Sequence, residues 1–377
     1  MALVTIAADI CPIEGNRAYF LEGDADSLLH DLLPEFERSD LVIANLECPL
    51  VDSTSPIRKT GPNFGEPSGC IKGIKKAGID VLGLANNHVL DHGPTGLKNT
   101  LQVCADAGIA TVGAGENLAA ARHILVKDLD GVRVGILAVA EHEFSIATSR
   151  SAGANPLDLA DFVRNITSHK QSFDFLIVLL HGGDEFHVPT PRLQDTCRFM
   201  VEMGANAVLV QHPHVLGGYE QYLGGYIVYG QGALLMDEAI YRRRQSFHQG
   251  FLVKLFLEKD SPPRIELVPF IQSDPVPGAR CMLSDDKQKF LQDLEQKSLA
   301  VKDPALVEAQ WVRFCEANKH GYLSSLLGHN RVLSRLNRDG LAARLLYGPT
   351  ALLRAKNIAC CETHREAIQT IFERQMI

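Results

Sequence analysis

Five apolar runs in this chain each stop on carboxylate, amide or imidazole groups. Asp9 ends "LVTIAAD", and Asn45 and Glu47 end "LVIANLE". Asn86, Asn87 and His88 end "VLGLANNH", with Asp91 three residues on. His181 ends "LIVLLH", followed by Asp184 and Glu185, and His212 and His214 end "NAVLVQHPH". Singly, each has an ordinary explanation: aspartate caps helices, asparagine fills turns, and a histidine can sit satisfied at a strand end. Five coincidences at five strand ends favour one joint site. Pro213 should hold its neighbours extended, so that the flanking imidazoles converge.

A set of Asp, Glu, Asn and His suits a borderline-hard divalent ion, Mn, Zn, Fe or Mg, rather than a cysteine-built structural zinc. One or two such ions could clamp a transferring phosphoryl or acyl group. A histidine beside a ligand asparagine could act as general acid or stabilise charge.

Parallel strands covered by helices on both faces read as nearly continuous apolar runs, with functional groups just beyond their carboxyl ends. "RVGILAVA" and "FDFLIVLL" have that character. Helical patterns alternate with the runs: "PTGLKNTLQVCADAG" opens on Pro94 and closes on Gly108, sensible helix punctuation. From "GGYIVYG" to "RIELVPFI" strands follow one another without helices, so antiparallel additions are expected there. The pattern predicts an α/β domain over about residues 1–275 and a helical region over about 276–377.

Composition excludes several classes. The 377 residues carry a net charge of −8 and 22% charged side chains, which disfavours nucleic acid as a partner. No run of about 18 apolar residues predicts a membrane span. "MALVTIAADI" reads as a first strand rather than a signal peptide. Nine scattered cysteines without a CxxC pair fit a reduced cytoplasmic set. Arg242, Arg243 and Arg244 read as a solvated loop.

The ordered set Asp9, Asn45-Leu46-Glu47, Asn86-Asn87-His88 with Leu90-Asp91 and Gly93, His181, and His212-Pro213-His214 resembles the capsule-synthesis CapA family. That family is related to poly-γ-glutamate biosynthesis proteins and shares the calcineurin-like metallophosphoesterase fold. "AGIATVGAG", "HGGDEFHVPTPRLQ" and "GANAVLVQHPHVLGGYEQYLGGYIVYGQGALLMD" extend the resemblance over about residues 2–270. It implies a four-layer α-β-β-α sandwich with a helical C-terminal extension and a metal site at the strand ends. Asp9, Glu47, Asn87, His181, His212 and His214 match metal ligands, and His88 matches the catalytic histidine, with Asp91 beside it. Asn45, Asn86, Glu185 and Glu220 are the candidates for substrate contact. The chain departs from a full two-metal phosphoesterase where Cys11 replaces a histidine, Asn45-x-Glu47 replaces a Gly-Asp-x-x-Asp step, and Gly232-Ala233-Leu234 stands for "GNF".

The function implied is a cytoplasmic metal-dependent hydrolase of capsule or surface-polysaccharide biosynthesis. Its substrate would be a phosphoester, or an amide or ester, of a polymer precursor, and its partners would include other capsule-synthesis proteins. The alternative is a non-catalytic assembly or ligand-binding protein on the same fold.

Overall fold

The apolar runs form strands. In chain order these are β1 (Ala2–Cys11), β2 (Leu41–Leu46), β3 (Val81–Gly83), β4 (Ala110–Val112), β5 (Ala114–Gly115), β6 (Leu125–Leu129), β7 (Val132–Ala140), β8 (Gly153–Ala154), β9 (Phe175–His181), β10 (Ala207–Gln211), β11 (Tyr219–Tyr222), β12 (Gly225–Val228), β13 (Ala233–Met236), β14 (Gln249–Leu257), β15 (Arg264–Gln272) and β16 (Ala279–Cys281). The helices are α1 (Arg17–Glu22), α2 (Ala25–Leu29), α3 (Leu33–Glu37), α4 (Ile71–Lys76), α5 (Gly93–Asp106), α6 (Leu118–Ala121), α7 (Leu159–His169), α8 (Pro191–Glu202), α9 (Ser284–Val301) and α10 (Pro304–Leu326). The computed structural model describes residues 1–59, 61–184, 189–239 and 242–326, with isolated positions beyond. Its two compact units are Met1–Val307 and Glu308–Ile377.

Among the described residues the first unit holds two large sheets. One runs β16-β15-β14-β1-β2-β3-β4, with β13 also beside β1. Strands β1 to β4 are parallel. Strands β14, β15 and β16 join antiparallel, as the helix-free tail of the domain predicted. The other runs β11-β12-β10-β9-β7-β6, parallel at its centre with antiparallel edges.

Strand alternation builds the layers. Ile136, Ala138, Ile177, Leu179 and Leu209 share one core with Val4, Ile6, Ile43 and Leu82 of the first sheet. Their neighbours Leu137, Val139, Leu176, Val178, Leu180, Val208 and Val210 face outward onto Phe162 and Ile166 of α7 and Leu193, Cys197 and Met200 of α8. Phe20, Leu28, Phe36 and Ile74 of α1 to α4 cover the first sheet. The result is the expected four-layer α-β-β-α sandwich. The same alternation puts His181 on the face of Ile177 and Leu179, between the sheets.

The predicted boundary near 275 falls between β15 and β16. Helix α9 belongs to the first unit. Phe290 packs against Phe251 with ring centroids 6.3 Å apart, and Ser298 Oγ accepts from Tyr219 N at 3.0 Å. Arg242 does more than face solvent: its Nε donates to Asp237 Oδ1 at 2.9 Å and its Nη2 to Glu14 at 3.0 Å. No helix among the described residues is long and apolar enough to cross a membrane.

Candidate metal centre

The pairing of β1 slips near Asp9, between Ile6 and Asp9 against β2 and between Asp9 and Ile10 against β13. Such irregularities re-aim a side chain and recur beside active sites. Asp9 Oδ1 accepts from Asn45 Nδ2 at 2.8 Å, and Oδ2 accepts from the backbone N of His212 at 3.0 Å. Asn86 Nδ2 donates to Asn45 Oδ1 at 3.2 Å and to Leu46 O at 2.8 Å, and its Oδ1 accepts from His88 N at 3.1 Å. One hydrogen-bonded path therefore runs across the ends of β1, β2 and β3 to the His88 turn.

Two buried groups with metal-ligand spacing meet on Glu47: Glu47 with His181 and His212, and Glu47 with Asp9 and His214. Within each group the ligand atoms lie within 4.8 Å of one another. His181 Nε2 is 3.4 Å from Glu47 Oε1, His212 Nδ1 is 3.7 Å from the same oxygen, and His214 Nε2 is 3.6 Å from Oε2. His181 Nε2 is also 3.1 Å from Oδ1 of the half-buried Asn87. The His212-Pro213-His214 step is not extended as its proline suggests. The histidines have φ of 94° and 52°, a strained conformation that surrounding structure must hold.

Charge is distributed unevenly. Burial, then the charge of Glu47, pushes Asp9 up to about 8. Burial alone would raise Glu47 too, but His214, His181 and His212 outweigh it and hold that carboxyl well below the usual range. Burial also lowers His181 to about 4, against the pull of Glu47. At neutral pH the cluster thus offers an ionised Glu47 and a neutral His181 with a lone pair. Glu47 Oε2 is buried and makes no hydrogen bond among the described residues, with His214 Nε2 3.6 Å away. A buried acceptor left unmatched, with imidazole and carboxylate lone pairs converging on it, fits a divalent cation.

His88 faces a second constellation. Its Nδ1 lies 2.6 Å from Asp91 Oδ2 and 3.2 Å from Lys59 Nζ. Phe64 stacks obliquely on the ring at 4.4 Å, and Phe64 N donates to Asp91 Oδ2 at 2.7 Å. Lys59 and Phe64 were not foreseen. They come from "RKTGPNFG", a glycine- and proline-punctuated stretch whose polar types read as surface loop. Glu141 was missed as well. Following β7, it accepts from Gly183 N at 3.1 Å and pairs with Arg192, bracing the turn after His181.

The strand ends bring together Asp9, Asn45, Glu47, Asn86, Asn87, His181, His212 and His214, with His88 and Asp91 beside them. Asn45 and Asn86 spend their hydrogen bonds on protein atoms, so they act here as braces. Glu220 is held elsewhere, on β11, where Arg198 donates twice to it at 2.9 Å and Tyr229 Oη donates at 2.7 Å. Glu185 lies outside the described residues.

Residues 4–238 match the family model for the bacterial capsule synthesis protein PGA_cap. The chain belongs to this family. It is 30% identical over 254 residues to the capsule biosynthesis protein CapA of Bacillus anthracis, covering 65% of this chain and 61% of that one. It is 31% identical over 251 residues to the PGA biosynthesis protein CapA of Bacillus subtilis (strain 168), covering 65% of each. The chain thus spans less than two thirds of the length of these curated relatives. Among solved structures, a hypothetical protein from Thermus thermophilus superposes with a TM-score of 0.45 at 16% identity, over 71% of this chain and 99% of that one. Membership places the chain in a family whose curated relatives include capsule and PGA biosynthesis proteins.

Proposed function

We propose that this PGA_cap-family chain is a metal-dependent hydrolase of the phosphoesterase type, acting on a phosphoester, or an amide or ester, of a surface-polymer precursor. The carrying observation is the pair of buried carboxylate–imidazole groups that share Glu47. Asp9, Glu47, Asn87, His181, His212 and His214 would hold one or two divalent ions, Mn, Zn, Fe or Mg. Bound there, such an ion supplies Lewis-acid polarisation of a phosphoryl or acyl oxygen.

The chain's own residues do the rest. Asp91, fixed by the backbone N of Phe64, holds Nδ1 of His88. That leaves Nε2 to carry the proton a leaving group needs, the role of general acid. Phe64 packs on the ring and excludes water from one face. Asn45 and Asn86 fix the turn, so that Asn87 and His88 point to different tasks. The free cysteines among the described residues suit a reducing cytoplasm, and fractionation of native cells tests that placement.

The test is elemental analysis of protein purified without chelator, then Mn²⁺ add-back with a generic phosphoester. At least one ion per chain and metal-dependent turnover are expected. Metal without turnover on phosphoester, ester or amide would favour a ligand-binding role in capsule assembly. Protein that takes up neither Mn²⁺ nor Zn²⁺ would end the metal reading.

A further inference from the structure

Most of the described residues between Asp52 and Phe64 are exposed, yet the Lys59 side chain turns inward and is only 2% exposed. Its ammonium forms an ion pair with Asp91 and sits 3.2 Å from His88 Nδ1. Burying a lysine gives up rotamer freedom and hydration. A loop lysine with open water beside it goes inward only where a charge receives it. Backbone bonds already tie the loop down: Phe64 N donates to Asp91 Oδ2, Ile57 N to Asp91 O at 2.9 Å, and Ser55 N to His92 Nδ1 at 2.7 Å. The ammonium is therefore not needed as a fastener, and its charge is the feature to explain.

Asp9, Glu47 and Asp91 are three fully buried carboxylic acids at the same strand ends. Asp91 must contact His88 to orient it. Left alone, its charge would repel any anion approaching that ring. We infer that Lys59 sets the preference of this site for oxyanion-bearing substrates, by cancelling the charge of Asp91 at the His88 edge. Lys59 is thus a positioning and specificity residue. This inference rests on the metal-centre reading and adds a substrate charge class to it.

The test uses full-length Mn²⁺-loaded protein and inorganic phosphate, with phosphate affinity read by calorimetry beside Mn²⁺ stoichiometry. Lys59→Met should weaken phosphate binding about ten- to a hundredfold, the weight of one nearby charge in a partly desolvated site, at unchanged Mn²⁺ content. Lys59→Arg should stay near wild type. Lys59→Met/Asp91→Asn, with both charges gone, should recover most of the lost affinity, and Asp91→Asn alone should bind at least as tightly as wild type. Should Lys59→Met not fold, the comparison of Asp91→Asn with wild type still decides. Unchanged affinity in Lys59→Met, a double variant worse than the single, or weakened phosphate binding by Asp91→Asn each overturns the inference. Wild type that takes up Mn²⁺ but no phosphate overturns it while leaving the metal centre standing. Wild type without Mn²⁺ overturns the metal centre and this inference together.

Discussion

Asp9 and Glu47 are carboxylates of one buried cluster, and their surroundings drive them apart. Three imidazoles face Glu47, whereas Asp9 has burial and the charge of Glu47 against it. Metal-free protein should therefore hold a proton on Asp9 up to about pH 8. The unfolded chain would release that proton near the ordinary value of 3.8, so the folded state binds more protons in between, and stability falls as pH rises towards 8. His181, lowered from 6.5 to about 4, works the other way below its ordinary value. Between about 6.5 and 8 the Asp9 effect stands clear of it. A bound ion displaces the proton. The gap between metal-loaded and metal-free melting temperatures should thus widen from pH 6.5 to pH 8, and scanning calorimetry at the two pH values checks this. A gap that does not widen would mean that Asp9 is already ionised in the free protein. The turn residues make a separate prediction. His88→Ala should leave metal content nearly unchanged while turnover falls by about 10² to 10⁴, the usual size of a lost general acid or base. Asn87→Ala and His214→Ala should lose metal first. Metal stoichiometry measured beside rate separates the two outcomes, and loss of metal from His88→Ala alone would reverse the assigned roles.

At the scale of elements, the meeting of the candidate ligands was legible because a strand period of two and a parallel sheet leave few places for polar groups to gather. His181 follows "LIVLL" and could only end a buried strand, and its inward face then follows from Ile177 and Leu179. The slip in β1 at Asp9 was not legible, since no glycine or proline marks it. Nor were the positive φ values of His212 and His214; at His212 the backbone bond to Asp9 accompanies a departure from the usual preference before proline. Lys59 was hidden for another reason: nothing local tells a loop lysine bound for a buried carboxylate from one bound for water. Gly113 shows how tightly the elements meet. Its φ is 90°, and a Cβ there would fall 2.6 Å from Ala138 Cβ and 2.8 Å from Ala85 Cβ, joining the two sheets. Gly113→Ala should lower stability by about 1–3 kcal/mol through overpacking and backbone strain. Urea unfolding with an unchanged slope would report it, and a variant as stable as wild type would show that the sheets can part there at little cost.

On the scale of the whole molecule, the composition shift near Gln272 to Cys281 predicted where helices take over, but a change of secondary structure is not a boundary of packing. Strand β16 pairs with β15, and Phe290 and Leu294 of α9 are buried in the same core as the sheets. Apolar residues at helical spacing do not say which neighbour they will cover, so the allegiance of α9 was beyond a reading of pattern. Every described candidate ligand lies in the unit Met1–Val307. Two truncations follow from this. A chain ending at Val307 should unfold cooperatively and bind Mn²⁺ as the full chain does. A chain ending at residue 275 loses β16 and α9 and bares Phe251, whose ring meets Phe290. Exposing core side chains of that size forfeits about 1.5–3 kcal/mol each, so this shorter chain should melt well below the first or fail to fold. Calorimetric melting and Mn²⁺ titration of both chains are the measurements. Equal stability of the two would place the working boundary at 275 and make α9 an appendage, whereas loss of Mn²⁺ binding in the chain ending at Val307 would overturn the assignment of the centre to the first unit alone.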